Sequence, residues 1–296
     1  VTRQSSRPPF AINFPPSHIS QENCMPSIDQ PGTITFMSSG EMSARLSPAH
    51  RAVLNQIHEP VHAIFLDTPA GFQENALALA EKAAGYFKQN LQTDLSAVSF
   101  KSKSEATPEQ LEHVVEQIKA ANYIFAGPGS PTYAVRNWIG TPLAQAFADR
   151  LKSGGHLAFA SSAAIAVSRY VVPVYELFKA GHDPYWVDGL DLLGDHGLNL
   201  AVMPHWNNSE GGHDFDTRYC FIGKRRLKKM EDLLPDTVVM LGLDENTACL
   251  LDLAAKTCEV FGSGRIILRH RGTEQTFSPG AKFGWDEFEK IQAAAA

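Results

Sequence analysis

Between Thr33 and Arg169, short apolar runs alternate with longer stretches of helical periodicity, and each run closes in a polar or glycine-rich turn. The runs read TITFM from Thr33, VHAIFL from Val61, a weaker segment over Ser96 to Phe100, YIFA from Tyr123 and HLAFA from His156. Between them, residues 73–90, 107–121 and 134–152 place apolar side chains at helical spacing. Thr107-Pro108-Glu109-Gln110 supplies a cap, a first-turn proline and an acidic first turn for one of these helices. Strand and helix in strict alternation leave few options, and the expected fold is a three-layer, doubly wound α/β domain with a mostly parallel sheet. Ligand sites in such sheets lie beyond the carboxyl ends of the strands. The turns Ser38-Ser39-Gly40-Glu41, Asp67-Thr68-Pro69-Ala70-Gly71-Phe72 and Gly127-Pro128-Gly129-Ser130-Pro131-Thr132 should therefore gather on one rim.

Further strands are expected at 198–203, 237–241, 248–252, 257–261 and 265–271, the last two joined at Gly262-Ser263-Gly264 as a C-terminal β-hairpin. Residues 1–32 carry Pro8, Pro9, Pro15, Pro16, Pro26 and Pro31 without apolar periodicity and read as an extended N-terminal arm, which is also a candidate homodimer contact. Residues 273–296 read as a second arm, leaving 33–272 as one domain. A hydrophobic content of 44% over 296 residues suffices for a sizeable core. The net charge of −6 argues against nucleic acid as a partner. No apolar run reaches the ~18 residues that a membrane span requires. Cys24, Cys220, Cys249 and Cys258 have no metal-binding spacing, so neither metal nor cofactor is expected and a reduced, cytoplasmic setting is the default.

The run HLAFA passes directly into Ser161-Ser162-Ala163-Ala164-Ile165-Ala166-Val167, giving a strand, a sharp turn and a helix with only small residues at the corner. A serine at such a corner holds its hydroxyl above the sheet edge as a nucleophile elbow does. The plainer alternative is that Ser161 or Ser162 caps the helix. A nucleophilic serine needs a base. His205 follows the strand LAVMP and should project from the same rim, with His213 as runner-up. An oxyanion hole needs two backbone N–H groups. One comes from the residue after the nucleophile and the other from Gly129 or Ser130, since Pro128 and Pro131 have no N–H.

The series FAGPGSPTYAVR, FASSAAIAV, VPVYELFKAG, MPHW and MLGLDENTACLL resembles the peptidase S51 family, the dipeptidase E and cyanophycinase group of the class I glutamine amidotransferase-like fold, which has a flavodoxin-like topology. The resemblance spans roughly residues 33–270 in the family's order. The family's elbow reads Gly-Thr-Ser-Ala-Gly. Matched by position, Ser162 stands at the nucleophile, Ala163 at the elbow donor, His205 at the base and Leu243-Asp244-Glu245-Asn246-Thr247-Ala248 at a late acidic segment. The family's third triad member lies a short way past the nucleophile, which here selects Glu176, with Asp183 as alternative, and Arg218 matches a substrate-binding arginine. The resemblance implies a serine-type hydrolase acting on a small peptide or amide. Fold relatives with glutaminase activity carry a cysteine at the elbow, where this chain has serine. Ala160 and Ala164 replace both elbow glycines, which motivates a second reading, a catalytically inactive small-molecule binder. A small-molecule esterase or amidase with the same machinery is the third.

Overall fold

The computed structural model describes residues 30–295, so the N-terminal arm lies outside them except for its end at Gln30, Pro31 and Gly32. In chain order the strands are β1 (Thr33–Met37), β2 (Ala63–Leu66), β3 (Leu95–Val98), β4 (Tyr123–Ala126), β5 (His156–Ala160), β6 (Tyr170–Val171), β7 (Val187–Asp188) and β8 (Leu200–Met203), followed by β9 (Val239–Leu243), β10 (Thr247–Asp252), β11 (Thr257–Gly262), β12 (Ile266–His270), β13 (Thr273–Phe277) and β14 (Lys282–Gly284). The α-helices are α1 (Ser47–Leu54), α2 (Ala76–Tyr86), α3 (Pro108–Ala120), α4 (Pro131–Trp138), α5 (Pro142–Lys152), α6 (Ser162–Ala166), α7 (Val174–Phe178), α8 (Gly223–Asp232) and α9 (Asp286–Ala294). None is long and apolar enough to cross a membrane. The stretch expected as one helix over 134–152 is two, because Gly140, with φ +74°, breaks it before Thr141 caps α5 and Pro142 starts it.

The main sheet has eight strands in the order β14-β11-β10-β1-β5-β4-β2-β3. Its strands from β1 to β3 are mutually parallel, joined by helical crossovers, whereas β10, β11 and β14 add antiparallel ladders beyond β1. The period of two along each strand splits the core into two layers. Leu157 and Phe159 face a layer with Trp138 and Phe147, while Ala158 and Ala160 face one with Phe87, Tyr123 and Phe125. All five residues of β5 are buried, so the strand reads as continuously apolar instead of alternating.

A second sheet runs β13-β12-β9-β8, with β8 and β9 parallel in the register Met203 to Gly242. The pairing expected across Gly262-Ser263-Gly264 is not made. Strand β11 pairs with β10 and β14, whereas β12 pairs with β9 and β13, so that segment carries the chain from one sheet to the other. Gly262 takes φ +100° there, and a Cβ on it would lie 2.0 Å from the Asn246 carbonyl oxygen, so the switch requires glycine. The C-terminal hairpin is formed by β12 and β13. Residues past 272 do not trail as an arm: β14 edges the main sheet and Phe283, Phe288 and Ile291 are buried in its core. Spacing in this tail is too short for sequence periodicity to separate it from a loop, and burial by the rest of the fold is what orders it.

Candidate active site

Strand β5 ends at Ala160, α6 begins at Ser162, and Ser161 alone makes the corner between them. Its backbone has φ 49° and ψ −113°. A non-glycine residue in that region costs of order 1–3 kcal/mol and persists only where its surroundings impose it. Two bonds do so: the Ser161 N–H donates to the Met37 carbonyl at 2.9 Å, extending the β1–β5 ladder, and its carbonyl accepts the Ile165 N–H at 3.1 Å, opening the helix. The Ser161 side chain makes no capping bond. Its Oγ lies 2.9 Å from His205 Nε2.

The other ring nitrogen of His205 lies 3.0 and 3.1 Å from the two carboxylate oxygens of Glu245. An ionised carboxylate only accepts, so Nδ1 carries the ring proton, and Nε2 is left to accept from the Ser161 hydroxyl. Burial works against the charge on Glu245, but the hydrogen bond and charge of His205 and the hydrogen bond from Asn208 outweigh it and hold the carboxyl down to about 2. Asn208 Nδ2 donates to Glu245 Oε1 at 2.8 Å. The first rim turn orients the group: the His205 N–H donates to Ser38 Oγ at 2.8 Å and the Asn246 N–H to Ser39 Oγ at 3.2 Å. His205 itself takes the left-handed conformation, φ 56°.

Ser162 occupies a different place from the one expected. It is the first residue of α6, 5% exposed, and its hydroxyl donates to the Gly129 carbonyl at 2.7 Å, turned away from the imidazole. It is the Ser161 hydroxyl, one residue before the expected position, that reaches His205, so the N–H following the corner is that of Ser162 and Ala163 stands one position beyond it. Of the two rim candidates, the Ser130 N–H is consumed by the Pro69 carbonyl at 2.8 Å. The Gly129 N–H makes no hydrogen bond among the described residues. Gly129 packs so closely that a Cβ would come within 1.9 Å of the Pro69 carbonyl oxygen.

Neither acid expected beside His205 is there. Glu176 Oε1 accepts from Thr132 Oγ1 at 2.8 Å on α7, and Asp183 is exposed in the following loop. The acid beside His205 is Glu245, in the late acidic segment. The signal that finds it is register: His205 and Glu245 each stand two residues past the ends of β8 and β9, and these strands are parallel neighbours paired Met203 to Gly242. Arg218 does not line the cavity at Ser161. Its guanidinium grips Asp216 through Nε at 2.8 Å and Nη2 at 2.9 Å, which holds the Asp216 carboxyl well below the usual range. His213 is exposed in the loop and also lies off the cavity lining. Among the described residues no group of three or more His, Cys, Asp or Glu side chains is arranged to hold a metal ion.

A cavity of about 600 Å³ opens onto Ser161, His205 and Gly129. Ile165 of α6 and Val174, Tyr175 and Phe178 of α7 line it together with Phe215 and Phe221 from the segment between β8 and α8. A volume in this range suits a peptide- or drug-sized ligand.

No protein-family model matches the chain, and no curated protein matches it in sequence. Solved structures do. A peptidase from an acI-B1 Actinobacterium superposes with a TM-score of 0.70 at 22% identity, covering 86% of this chain and 98% of that one. The "Putative Peptidase E Protein" of Listeria monocytogenes EGD-e superposes with a TM-score of 0.51 at 12% identity, covering 84% and 98%. At these identities the likeness establishes a shared fold, the mixed α/β architecture with a large, mostly parallel sheet.

Proposed function

We propose that the protein is a serine hydrolase of amide or peptide bonds with Ser161 as nucleophile, His205 as general base and acid, and Glu245 as the carboxylate that orients the imidazole. The observation that carries this reading is a strained corner residue whose hydroxyl meets a histidine already bonded to a carboxylate. That the fold neighbours are described as peptidases supports a peptide as substrate.

In the proposed reaction, Ser161 Oγ attacks the carbonyl carbon while its proton passes to His205 Nε2. Glu245 keeps its negative charge and stabilises the imidazolium. The developing oxyanion is met by the Ser162 and Gly129 N–H groups, neither of which has a hydrogen-bond partner among the described residues, held by the helix start and the Gly-rich turn. His205 then returns the proton to the leaving amine as the carbon–nitrogen bond breaks, leaving an acyl ester on Ser161. Water, deprotonated by His205, cleaves that ester and restores the hydroxyl. With Ser161 at the corner, the positions two before and two after it are Phe159 in β5 and Ala163 in α6; neither takes a positive φ, so the corner does not need the two elbow glycines.

A fluorophosphonate probe, which requires no knowledge of the substrate, tests the assignment. Wild type and Ser162→Ala should label, and Ser161→Ala should not. Labelling of Ser161→Ala at the wild-type rate would overturn it.

A further inference from the structure

Resting on the reading of Ser161 as nucleophile, we propose that the cavity beside it selects an apolar, preferably aromatic, side chain next to the scissile bond, and rejects an acidic one. An unbroken aromatic wall leads away from the base. The Phe221 ring lies 5.6 Å from the His205 ring, Phe178 lies 5.6 Å from Phe221, and Phe215 lies 5.4 Å from Phe178, all between ring centroids. Ile165 and Val174 add to the apolar lining.

The backbone that presents this wall is strained for the purpose. Tyr219, Cys220 and Phe221 take φ of 58°, 56° and 67° in succession, a left-handed turn built without glycine. Such runs are disfavoured for L-residues and need outside restraint. The restraint comes from the site: the Tyr219 N–H donates to the Trp206 carbonyl at 3.0 Å and the Cys220 N–H to the His205 carbonyl at 3.2 Å. Phe221 is thereby held at a fixed offset from the base. Cys220 also lines the cavity, and burial pushes its thiol up, so it presents neutral surface.

Among the described residues the lining offers no buried lysine or arginine to pair with a carboxylate. Besides His205, whose ring nitrogens are both engaged, the charged residues there are Lys179 and Glu210, one of each sign and both exposed. Lys179 Nζ rests 4.5 Å over the Phe178 ring. Arg218, the cation that a carboxylate-binding pocket would use, is turned onto Asp216 outside the cavity. Lys179 stays exposed to solvent, so a carboxylate lodged against Ile165, Val174 and the Phe221 ring would lose its hydration without a buried cation beside it. By contrast, Phe215 and Tyr175 stand 45% and 44% exposed on the lining, apolar surface that an apolar substrate would cover.

The test is a panel of blocked short peptides with Phe, Leu, Asp or Lys on either side of one bond. The expected result is a kcat/KM at least about tenfold higher for Phe or Leu than for Asp at one of the two positions. Phe215→Ala should raise KM for the preferred peptide while its discrimination against Asp falls. Equal rates or a preference for Asp at both positions overturns the inference. If no peptide in the panel turns over, protection of Ser161 from the fluorophosphonate decides: phenylalkyl boronic acids should protect at lower concentration than carboxyalkyl ones, and the reverse order or equality overturns it. Failure of wild type to label at all would instead remove the nucleophile assignment itself.

Discussion

His50 and His205 each have both ring nitrogens hydrogen-bonded, yet they sit in regions of opposite character. His50 is fully buried among Tyr86, Phe87, Tyr123 and Phe125, with Nε2 bonded to the Glu41 carbonyl at 2.8 Å and Nδ1 to the Tyr123 hydroxyl at 2.6 Å. Its partners are neutral, and burial drives its pKa down to about 4, so it serves as an uncharged strut inside the core. His205 has a hydroxyl on one nitrogen and a carboxylate on the other, and it faces a cavity. A saturated pair of hydrogen bonds therefore does not distinguish a base from a packing residue. The distinction lies in a charged acceptor that would stabilise the imidazolium and in access for a second molecule.

The largest effect is expected at Ser161→Ala, with kcat reduced by roughly 10⁵–10⁶-fold in a steady-state assay and thermal stability little changed or raised, since the strained corner loses a bond but not its packing. Glu245→Gln should follow, with kcat down about 10⁴-fold and KM near wild type, because an amide no longer dictates which ring nitrogen carries the proton. A Glu176→Gln control should leave kcat within a few-fold of wild type, and a loss as deep as that of Glu245→Gln would return Glu176 to the triad.

The core histidine should act on stability instead. His50 has a folded pKa of about 4 against an ordinary value of 6.5, so on acidification the unfolded chain takes up the proton first. Stability is then full above pH 6.5, falls below it and has lost the whole contribution near pH 4, about 3 kcal/mol for this group. His156, bonded to Thr33 Oγ1 at 2.9 Å, is likewise lowered to about 4, by burial and by Arg150, and adds to the same acid limb. Urea unfolding at pH 7 and pH 4.5 should show a smaller difference for His50→Gln than for wild type; an unchanged difference would mean that His50 titrates normally. Ser162→Ala removes the bond to the Gly129 carbonyl and loosens the Gly-rich turn, and should lower kcat by less than about tenfold when read against the Glu176→Gln control.

Much of this architecture could be read locally. The apolar runs at 33–37, 123–126 and 156–160 became strands of the parallel half of the sheet, and Thr107 forms its full capping box with Gln110. His205 stands on the rim beside Ser161 because a strand's end fixes where the next side chain projects. The antiparallel half was harder. Strands β10 to β14 are short, and which of them pair is set by contacts between residues distant in sequence, so Gly262-Ser263-Gly264 looked like a hairpin turn and is a crossing between sheets.

Read locally, the sequence specifies a strand meeting a helix at a corner of small residues, the place of that corner on the carboxyl rim, and a histidine there with it. Those are consequences of short-range periodicity and chain direction. Tertiary structure alone decided which of two adjacent serines makes the corner, because strain at Ser161 is imposed by the β1 ladder on one side and the start of α6 on the other. It likewise selected Glu245 as the acid at His205, because the parallel pairing of β8 with β9 brings together two chain segments 40 residues apart.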